Sequence, residues 1–271
     1  MPKFSGIEKA SREKLAKILR AYPHAIKVKN AASILETSPL KAAQQLAVWN
    51  KQGWLSRVQR GIYVPVSLES ESPDVPLDDP WIIAEELWRP CYIGGWSAAE
   101  HWDLTEQIFQ SVLVMTTKKP RQRNPTLKDV GFLIHTVSPY HLFGTKPIWR
   151  GRIRVQVSDP SKTLVDMFDI PEVGGGIRPV ADVYGQYLKS PHKNMDLLLT
   201  YAEQQGNGTI YKRMGFLTET LAPKEKKFLT ECRKRLPTGY SKLDPSLKCE
   251  KIVTRWKLRV PISWKPKVSD D

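Results

Sequence analysis

Amide and basic side chains recur between residues 38 and 60, and this stretch of the chain contains no aspartate or glutamate. A glutamine carboxamide can pair with adenine through two hydrogen bonds, and a lysine can reach guanine or a phosphate oxygen. An arginine guanidinium can hold a phosphate through two parallel hydrogen bonds. This chemistry suits the surface of double-stranded DNA, and the residues predicted to contact it are Ser38, Lys41, Gln44, Gln45, Arg57 and Arg60.

A helix with a clear start is predicted to position the first four of these residues. Ser38 can cap the helix, and Pro39 stands at its first position, where a missing backbone N–H costs nothing. The helix should run to about Gln52, before Gly53. Helical spacing predicts a buried stripe of Ala43, Leu46, Ala47 and Trp49 or Asn50, which leaves Lys41, Gln44, Gln45 and Val48 pointing outward.

Further elements on both sides of this helix complete a recognisable pattern. Residues 7–22 predict an amphipathic helix, and residues 30–35 predict a short second one. Residues 54–64 predict two strands around a glycine turn, with Arg57 and Arg60 near its tip. A helix-turn-helix followed by a basic hairpin indicates a winged helix, which we predict for residues 1–66. The alternative is a small helical domain that contacts proteins, with its lysines in solvent.

The sequence of this region resembles a known family. The run VKNAASILETSPLKAAQQLAVWNKQGWLSRVQRGIYVPV, residues 28–66, is similar to the N-terminal winged helix of AbiEi-type antitoxins, in which a comparable phrase closes the wing. The resemblance continues in YIGGWSAAEHWDLTEQIFQSVLVMTT, although Trp102 and Asp103 replace the usual His-Gly pair. It ends in DPSKTLVDMFDIPEVGGGIRPVADVYGQYL, residues 159–188, and it covers most of residues 25–190.

The resemblance implies a function that the residues alone do not. AbiEi-type proteins are the antitoxins of type IV toxin–antitoxin systems, which act in phage defence, and they repress their own operon by binding inverted repeats in its promoter. In this family the C-terminal domain opposes a cognate nucleotidyltransferase toxin, in general without a stable complex between the two proteins. Direct binding of the toxin is therefore left open. We therefore expect a cytoplasmic transcriptional regulator whose partners are promoter DNA and, functionally, that toxin.

Charge is distributed unevenly along the chain, whose formal net charge is +14. Residues 1–70 carry +8, residues 71–170 carry −2 and residues 171–271 carry +8. Residues 67–80 contain five carboxylates and three prolines without a periodic apolar pattern, so we predict a linker there. Residues 81–271 then form the predicted C-terminal domain. Together, these patterns predict an α+β protein, with a winged helix joined to a mixed α/β domain whose second half is helical.

Two basic strands are predicted in the C-terminal domain. Residues 149–157 and 255–260 both alternate, so that every second side chain shares a face. The predicted basic surface comprises Arg150, Arg152 and Arg154 on the first strand and Arg255, Lys257 and Arg259 on the second. These faces could extend the DNA contact, dock an acidic protein, or simply be solvated and paired with acids.

Enzyme and membrane classes are disfavoured. The sequence contains no phosphate-binding loop, zinc-protease, serine-hydrolase or dinucleotide-binding motif, so we predict no catalytic residues and no cofactor. Three widely spaced cysteines predict neither disulfides nor a metal site. No apolar stretch is long enough for a membrane span or a signal peptide. Two alternatives remain: a solitary regulator whose C-terminal domain senses a ligand or dimerises, and a DNA-processing enzyme with a winged-helix targeting module.

Overall fold

The computed structural model of the chain describes residues 6–66, 79–151 and 153–264. Within these ranges the protein is α+β, with ten α-helices and three β-sheets, as predicted. The chain divides into two compact units, Met1–Pro90 with Pro120–Leu133, and Cys91–Lys119 with Ile134–Asp271. Most of the predicted linker, residues 67–78, lies outside the described residues, and the predicted domain boundaries stay a prediction.

The N-terminal elements follow the predicted order. They are α1 (Lys9–Ala21), β1 (Ile26–Lys27), α2 (Val28–Ile34), α3 (Pro39–Lys51), β2 (Leu55–Gln59) and β3 (Ile62–Pro65). The three strands form an antiparallel sheet in the order β1-β3-β2. Three helices and a terminal hairpin arranged in this way match the predicted winged helix.

One hydrophobic core holds these elements together. Leu15 and Ile18 of α1 pack with Leu46 and Trp49 of α3 and with Leu55 of β2, and all five side chains are buried. The two smallest core residues of α2, Ala31 and Ala32, are also buried and allow α3 to approach closely. The apolar stripe of each helix therefore faces inward, which leaves the polar faces to solvent.

A larger sheet occupies the middle of the chain. The elements here are α4 (Pro80–Trp88), β4 (Cys91–Ile93), α5 (Gly95–His101), β5 (Ser111–Thr116), β6 (Thr126–Leu127), β7 (Val130–Thr136), β8 (Thr145–Arg150) and β9 (Ile153–Ser158). The six strands have the order β6-β7-β5-β4-β9-β8, with β4 and β9 parallel. Asp79 caps α4, since its Oδ1 accepts a 2.9 Å hydrogen bond from the backbone N–H of Trp81.

Helices dominate the remainder, as predicted. They are α6 (Pro160–Asp169), α7 (Ile177–Lys189), α8 (Met195–Gln205), α9 (Thr209–Leu221) and α10 (Lys226–Lys234). A small sheet follows, formed by β10 (Ser241–Lys242), β11 (Lys251–Val253) and β12 (Leu258–Val260) in the order β10-β12-β11. None of the helices in the described ranges is both long and apolar enough to cross a membrane.

Candidate nucleic-acid interface

The start of α3 is fixed by the predicted cap. Ser38 has an extended backbone, and its Oγ accepts a 3.3 Å hydrogen bond from the backbone N–H of Lys41. Pro39 occupies the first helical position, as the sequence predicts. Because the cap satisfies one free N–H group of the first turn, the helix begins sharply and presents its first turn to solvent in a defined geometry.

The buried stripe of α3 differs from the prediction at two of its alanines. Ala42, Leu46 and Trp49 are buried, whereas Ala43 is half-buried and Ala47 is exposed, so the prediction for Ala43 and Ala47 is wrong. Ala42, Leu46 and Trp49 follow i, i+4, i+7 spacing, so they share the one face of the helix that packs into the core. Asn50 is half-buried beside this stripe.

The outward face of α3 carries most of the predicted contacts. Lys41, Gln44 and Val48 are exposed, and their i, i+3, i+7 spacing places them on one side of the helix. Gln45 is half-buried at the margin of this face. Exposed Ala47 adds only a methyl group, so another surface can approach the helix closely there. The face thus combines a cation, a carboxamide and an apolar contact, which are the groups that read base edges.

The wing places both predicted arginines in solvent. Arg57 lies on β2 and Arg60 in the turn before β3, and both are exposed. Gly61 closes the turn with a φ of +81°, a conformation that residues with a side chain rarely adopt. In the described part of the chain, Lys41, Arg57 and Arg60 have no ion-pair partner, so their charges are available to an anionic ligand.

A hydrogen bond that the sequence did not reveal connects the two parts of this surface. The Oδ1 atom of Asn50, near the end of α3, accepts a 2.8 Å hydrogen bond from the backbone N–H of Arg57. The α3–wing surface, defined here as Lys41, Gln44, Gln45, Val48, Arg57 and Arg60, is therefore one connected unit.

The prediction of one basic strand over residues 149–157 is wrong. Residues 145–158 form a hairpin of β8 and β9 in which Trp149 pairs with Arg154 and Arg150 pairs with Ile153. Directly opposed residues of an antiparallel pair share a face, so Arg150 and Arg154 point to opposite faces of the sheet. The cause is Gly151, which turns the chain with a φ of +58°. Arg152, the third residue of the predicted face, lies outside the described residues.

The prediction of a second basic strand over residues 255–260 is also wrong. Thr254–Trp256 form a turn of 3₁₀ helix, Lys257 has a left-handed backbone with a φ of +50°, and only Leu258–Val260 are extended. Arg255 and Lys257 therefore do not share a strand face with Arg259. Arg255 forms an ion pair with Glu219 of α9, while Arg259 is exposed on β12. The predicted C-terminal basic surface is thus not assembled by these two strands.

A buried polar cluster in α6 was missed by the sequence analysis. The Lys162 ammonium lies 2.7 Å from Asp166 Oδ1 and 2.8 Å from Gln205 Oε1, and the Tyr92 hydroxyl donates to Asp166 Oδ2 at 2.8 Å. Burial raises the pKa of Asp166, although Lys162 and Tyr92 act in the opposite direction. The i, i+4 spacing of a lysine and an aspartate among apolar residues was the available signal. The hydrogen-bond partners in this cluster all come from the chain itself.

In the described ranges, no three His, Cys, Asp or Glu side chains converge as a possible metal site. Cys91, Cys232 and Cys249 are buried, and none of them forms a disulfide bond within the described residues. No protein-family model matches the chain, and a search of curated proteins finds no significant relative.

Proposed function

We propose that this protein is a regulator that binds double-stranded DNA through the α3–wing surface. The observation that carries the proposal is the joining, through Asn50 and Arg57, of a capped helix with an exposed acid-free face to a wing with two unpaired arginines. A solvated helix face usually mixes basic and acidic residues, whereas this one combines a cation, carboxamides and an apolar side chain without any acid. Such a face matches the negative potential and the base edges of the major groove.

Each part of the surface has a distinct task in this proposal. The exposed face of α3 enters the major groove, where Gln44 and Gln45 hydrogen-bond base edges and Lys41 reaches guanine or phosphate. Arg57 and Arg60 hold phosphates beside the groove or enter the adjacent minor groove. Val48 supplies an apolar contact that suits a thymine methyl group.

The biological setting that we propose is a type IV toxin–antitoxin operon. In that setting the protein represses its own promoter at inverted repeats and opposes a nucleotidyltransferase toxin. The support for this step is the sequence resemblance of residues 28–66, 92–117 and 159–188 to AbiEi-type antitoxins. The alternative of a solitary regulator differs in its gene neighbourhood, because only an antitoxin should lie beside a gene for a nucleotidyltransferase-like protein.

The DNA-binding proposal is tested with the full-length protein and the promoter region of its own gene. We expect the joint Lys41→Ala, Arg57→Ala and Arg60→Ala variant to bind at least about 100-fold more weakly at physiological salt, because it loses three cations at the interface. The matched control is the joint Lys9→Ala, Lys14→Ala and Lys17→Ala variant, which removes the same charge from exposed positions of α1. Equal binding by the two triple variants would overturn the proposal.

Base reading is tested separately from affinity. Gln44→Ala and Gln45→Ala should relax base preference, each reducing discrimination at one position by about 5- to 100-fold, whereas Lys41→Ala should weaken binding to all sequences alike if it meets phosphate. Selection of bound sequences from a random pool measures both effects. Unchanged preference in both glutamine variants would remove α3 as the reading element.

The antitoxin role is tested by co-expression with the product of a neighbouring nucleotidyltransferase-like gene. Wild-type protein should restore growth, and the Lys41, Arg57 and Arg60 triple variant should do so as well while failing to repress the promoter. Toxicity that wild-type protein leaves unchanged would contradict the antitoxin role and favour the solitary regulator.

A further inference from the structure

A cleft of about 340 Å³ opens beside the wing, within the first compact unit. Its walls are residues 59–62 of the wing turn, residues 27–29 at the start of α2, Trp88 at the end of α4, and the segment 120–125. None of these walls belongs to the predicted recognition helix. The cleft is therefore distinct from the α3–wing surface, and Arg60 is the one residue that the two share.

The lining of this cleft is strongly basic. Lys27, Lys29, Arg60 and Arg121 line it without any aspartate or glutamate, and Gln59 and Gln122 add carboxamides. Lys29, Arg60 and Arg121 are exposed, and no ion pair engages any of the three in the part of the chain that the structure describes. Lys29, Arg60 and Arg121 carry like charges in one cleft, and an anionic ligand would relieve their mutual repulsion.

Hydrogen bonds hold the walls in place. The backbone N–H of Val28 donates to the carbonyl of Gly61 at 3.1 Å, so the wing turn is tied to the start of α2. The Lys27 ammonium donates to the carbonyl of Leu87 at 2.8 Å, which ties the same segment to α4. In the segment 120–125, the carbonyl of buried Pro125 accepts a 2.9 Å hydrogen bond from the N–H of Phe132. The backbone segments that carry the basic groups are therefore held by hydrogen bonds.

The ligand chemistry follows from the charge and the position. The four cations that line the cleft favour an anionic ligand over a cationic one. Arginine and carboxamide N–H groups are frequent donors to phosphate and sugar oxygens of DNA. Because Arg60 belongs to both the wing and the cleft, a duplex held by the wing would bring its backbone to this cleft.

We propose that this cleft binds the sugar-phosphate backbone of DNA that flanks the segment read by α3. The proposal rests on the proposed function, because it extends the same DNA footprint. It assigns Lys29 and Arg121 to phosphate contacts that neither the helix nor the wing makes. An acidic protein segment is the competing occupant, and the experiment below separates the two.

The experiment compares two DNA lengths with the full-length protein. One duplex ends at the base pairs selected by α3, and the other extends about one helical turn beyond them on each side. The joint Lys29→Gln and Arg121→Gln variant should bind the long duplex about tenfold more weakly at physiological salt. Its slope of log K against log salt should fall by about 2, since each lost phosphate contact removes about 0.9. Binding to the short duplex and base preference should stay unchanged.

The matched control is the joint Lys9→Gln and Arg12→Gln variant, which removes one lysine and one arginine from exposed positions of α1. It should lower the slope for the long duplex by less than half as much. If the cleft variant keeps wild-type affinity and slope on the long duplex, while the Lys41, Arg57 and Arg60 variant loses binding, the cleft proposal fails and the proposed function stands.

Three other outcomes also overturn the cleft proposal. Equal loss on the short and long duplexes would place Lys29 and Arg121 within the core site rather than beside it. Loss of toxin neutralisation with intact DNA binding would identify an acidic protein as the occupant. Absence of any promoter binding by the wild-type protein would defeat the proposed function together with the cleft.

Discussion

The side-chain carbonyl of Asn50 accepts a hydrogen bond from the backbone N–H of Arg57, over a distance of 2.8 Å. Asn50 lies on the last turn of α3 and Arg57 on the first strand of the wing, seven positions later, so this bond closes the short connection between the two elements. A protein that reads a groove with a helix and grips phosphates with a wing needs both at a fixed spacing. In the proposed function, Asn50 is therefore a positioning residue for Arg57.

Asn50→Ala should weaken promoter binding by about 3- to 10-fold and reduce stability by no more than about 1 kcal/mol, because the bond is solvent-exposed. Hydrogen exchange at the Arg57 amide should become faster in the same variant. Fluorescence anisotropy and exchange mass spectrometry measure the two effects. Faster exchange with unchanged affinity would show that the wing's position relative to α3 does not matter for binding.

Stability of the winged helix should depend on a bond between α1 and α3. The indole N–H of Trp49 donates to Ser11 Oγ at 2.8 Å, and the Trp49 side chain is completely buried. Ser11→Ala leaves that N–H without its partner, so we expect a loss of about 1–3 kcal/mol in the free energy of unfolding. Ser33→Ala, at an exposed position of α2, is the control and should change stability by less than about 0.5 kcal/mol. Equal effects in chemical denaturation would contradict this account.

The sequence predicted those parts of the fold that are governed by local signals. Ser38 with Pro39 marks the start of α3, and Gly61 marks the wing turn, because caps and tight turns depend on neighbouring residues alone. The two strands predicted from alternating basic side chains were wrong because a turn interrupts each extended run. Gly151 can follow a strand or reverse it, and Lys257 adopts its left-handed backbone without any residue type that indicates it.

Long-range contacts account for the rest of what the sequence did not reveal. The partners of Lys162 include Gln205, 43 residues further along the chain, and Asp166 also receives a bond from Tyr92, 74 residues earlier. The cleft beside the wing gathers Lys29, Arg60 and Arg121 from three distant segments. Periodicity describes one element at a time, so it cannot show which elements bring such groups together.

Two helical glycines should respond to alanine in opposite directions. A Cβ atom at Gly215 of α9 would lie 2.0 Å from the ring of Trp256, which is completely buried. Gly215→Ala should therefore destabilise the protein by about 1–3 kcal/mol through overpacking. At Gly185 of α7 a Cβ atom meets nothing within 4 Å, so Gly185→Ala should stabilise by about 0.5–1 kcal/mol through helix propensity. Thermal unfolding of the two variants gives the comparison, and a stabilising Gly215→Ala would refute the close contact.

Stability of the first unit should fall between weakly acidic and neutral pH because of Glu86. Burial raises the pKa of this α4 carboxyl group from 4.5 to about 7, against the opposing effects of a hydrogen bond from Ala25 and the charge of Lys27. Its Oε2 atom is buried and has no hydrogen-bond partner among the described residues. Between pH 4.5 and 7 the folded state binds more protons than the unfolded state, so stability decreases as pH rises through this window and the full cost applies above it.

Glu86→Gln removes this titration while keeping an acceptor for Ala25. The shift corresponds to at most about 3 kcal/mol, and partial solvation of the carboxyl group reduces the expected gain to about 1–2 kcal/mol near pH 8. Near pH 4.5 the variant and the wild type should be equally stable. Urea denaturation at both pH values measures the difference, and a gain that does not change with pH would show that Glu86 is not the responsible group.

The buried pair in α6 should behave as a unit. Lys162 and Asp166 have side chains that are 0% and 1% exposed, and the Lys162 ammonium also lies 4.0 Å from the centre of the Phe143 ring. Lys162→Met leaves the Asp166 carboxylate buried with only the Tyr92 hydroxyl, so we expect a loss of about 3–5 kcal/mol in the free energy of unfolding. Chemical denaturation measures this loss.

The second substitution decides whether charge or packing causes that loss. In the Lys162→Met and Asp166→Asn double variant no buried charge remains, and the asparagine side-chain oxygen still accepts from Tyr92. We expect the double variant to be about 2 kcal/mol more stable than Lys162→Met alone, with Gln205 accounting for the deficit that remains. The loss in the double variant is also compared with the sum of the losses measured for Lys162→Met and Asp166→Asn separately. If the two values are equal, the pair is not coupled, and Lys162 contributes to the core through its aliphatic chain instead.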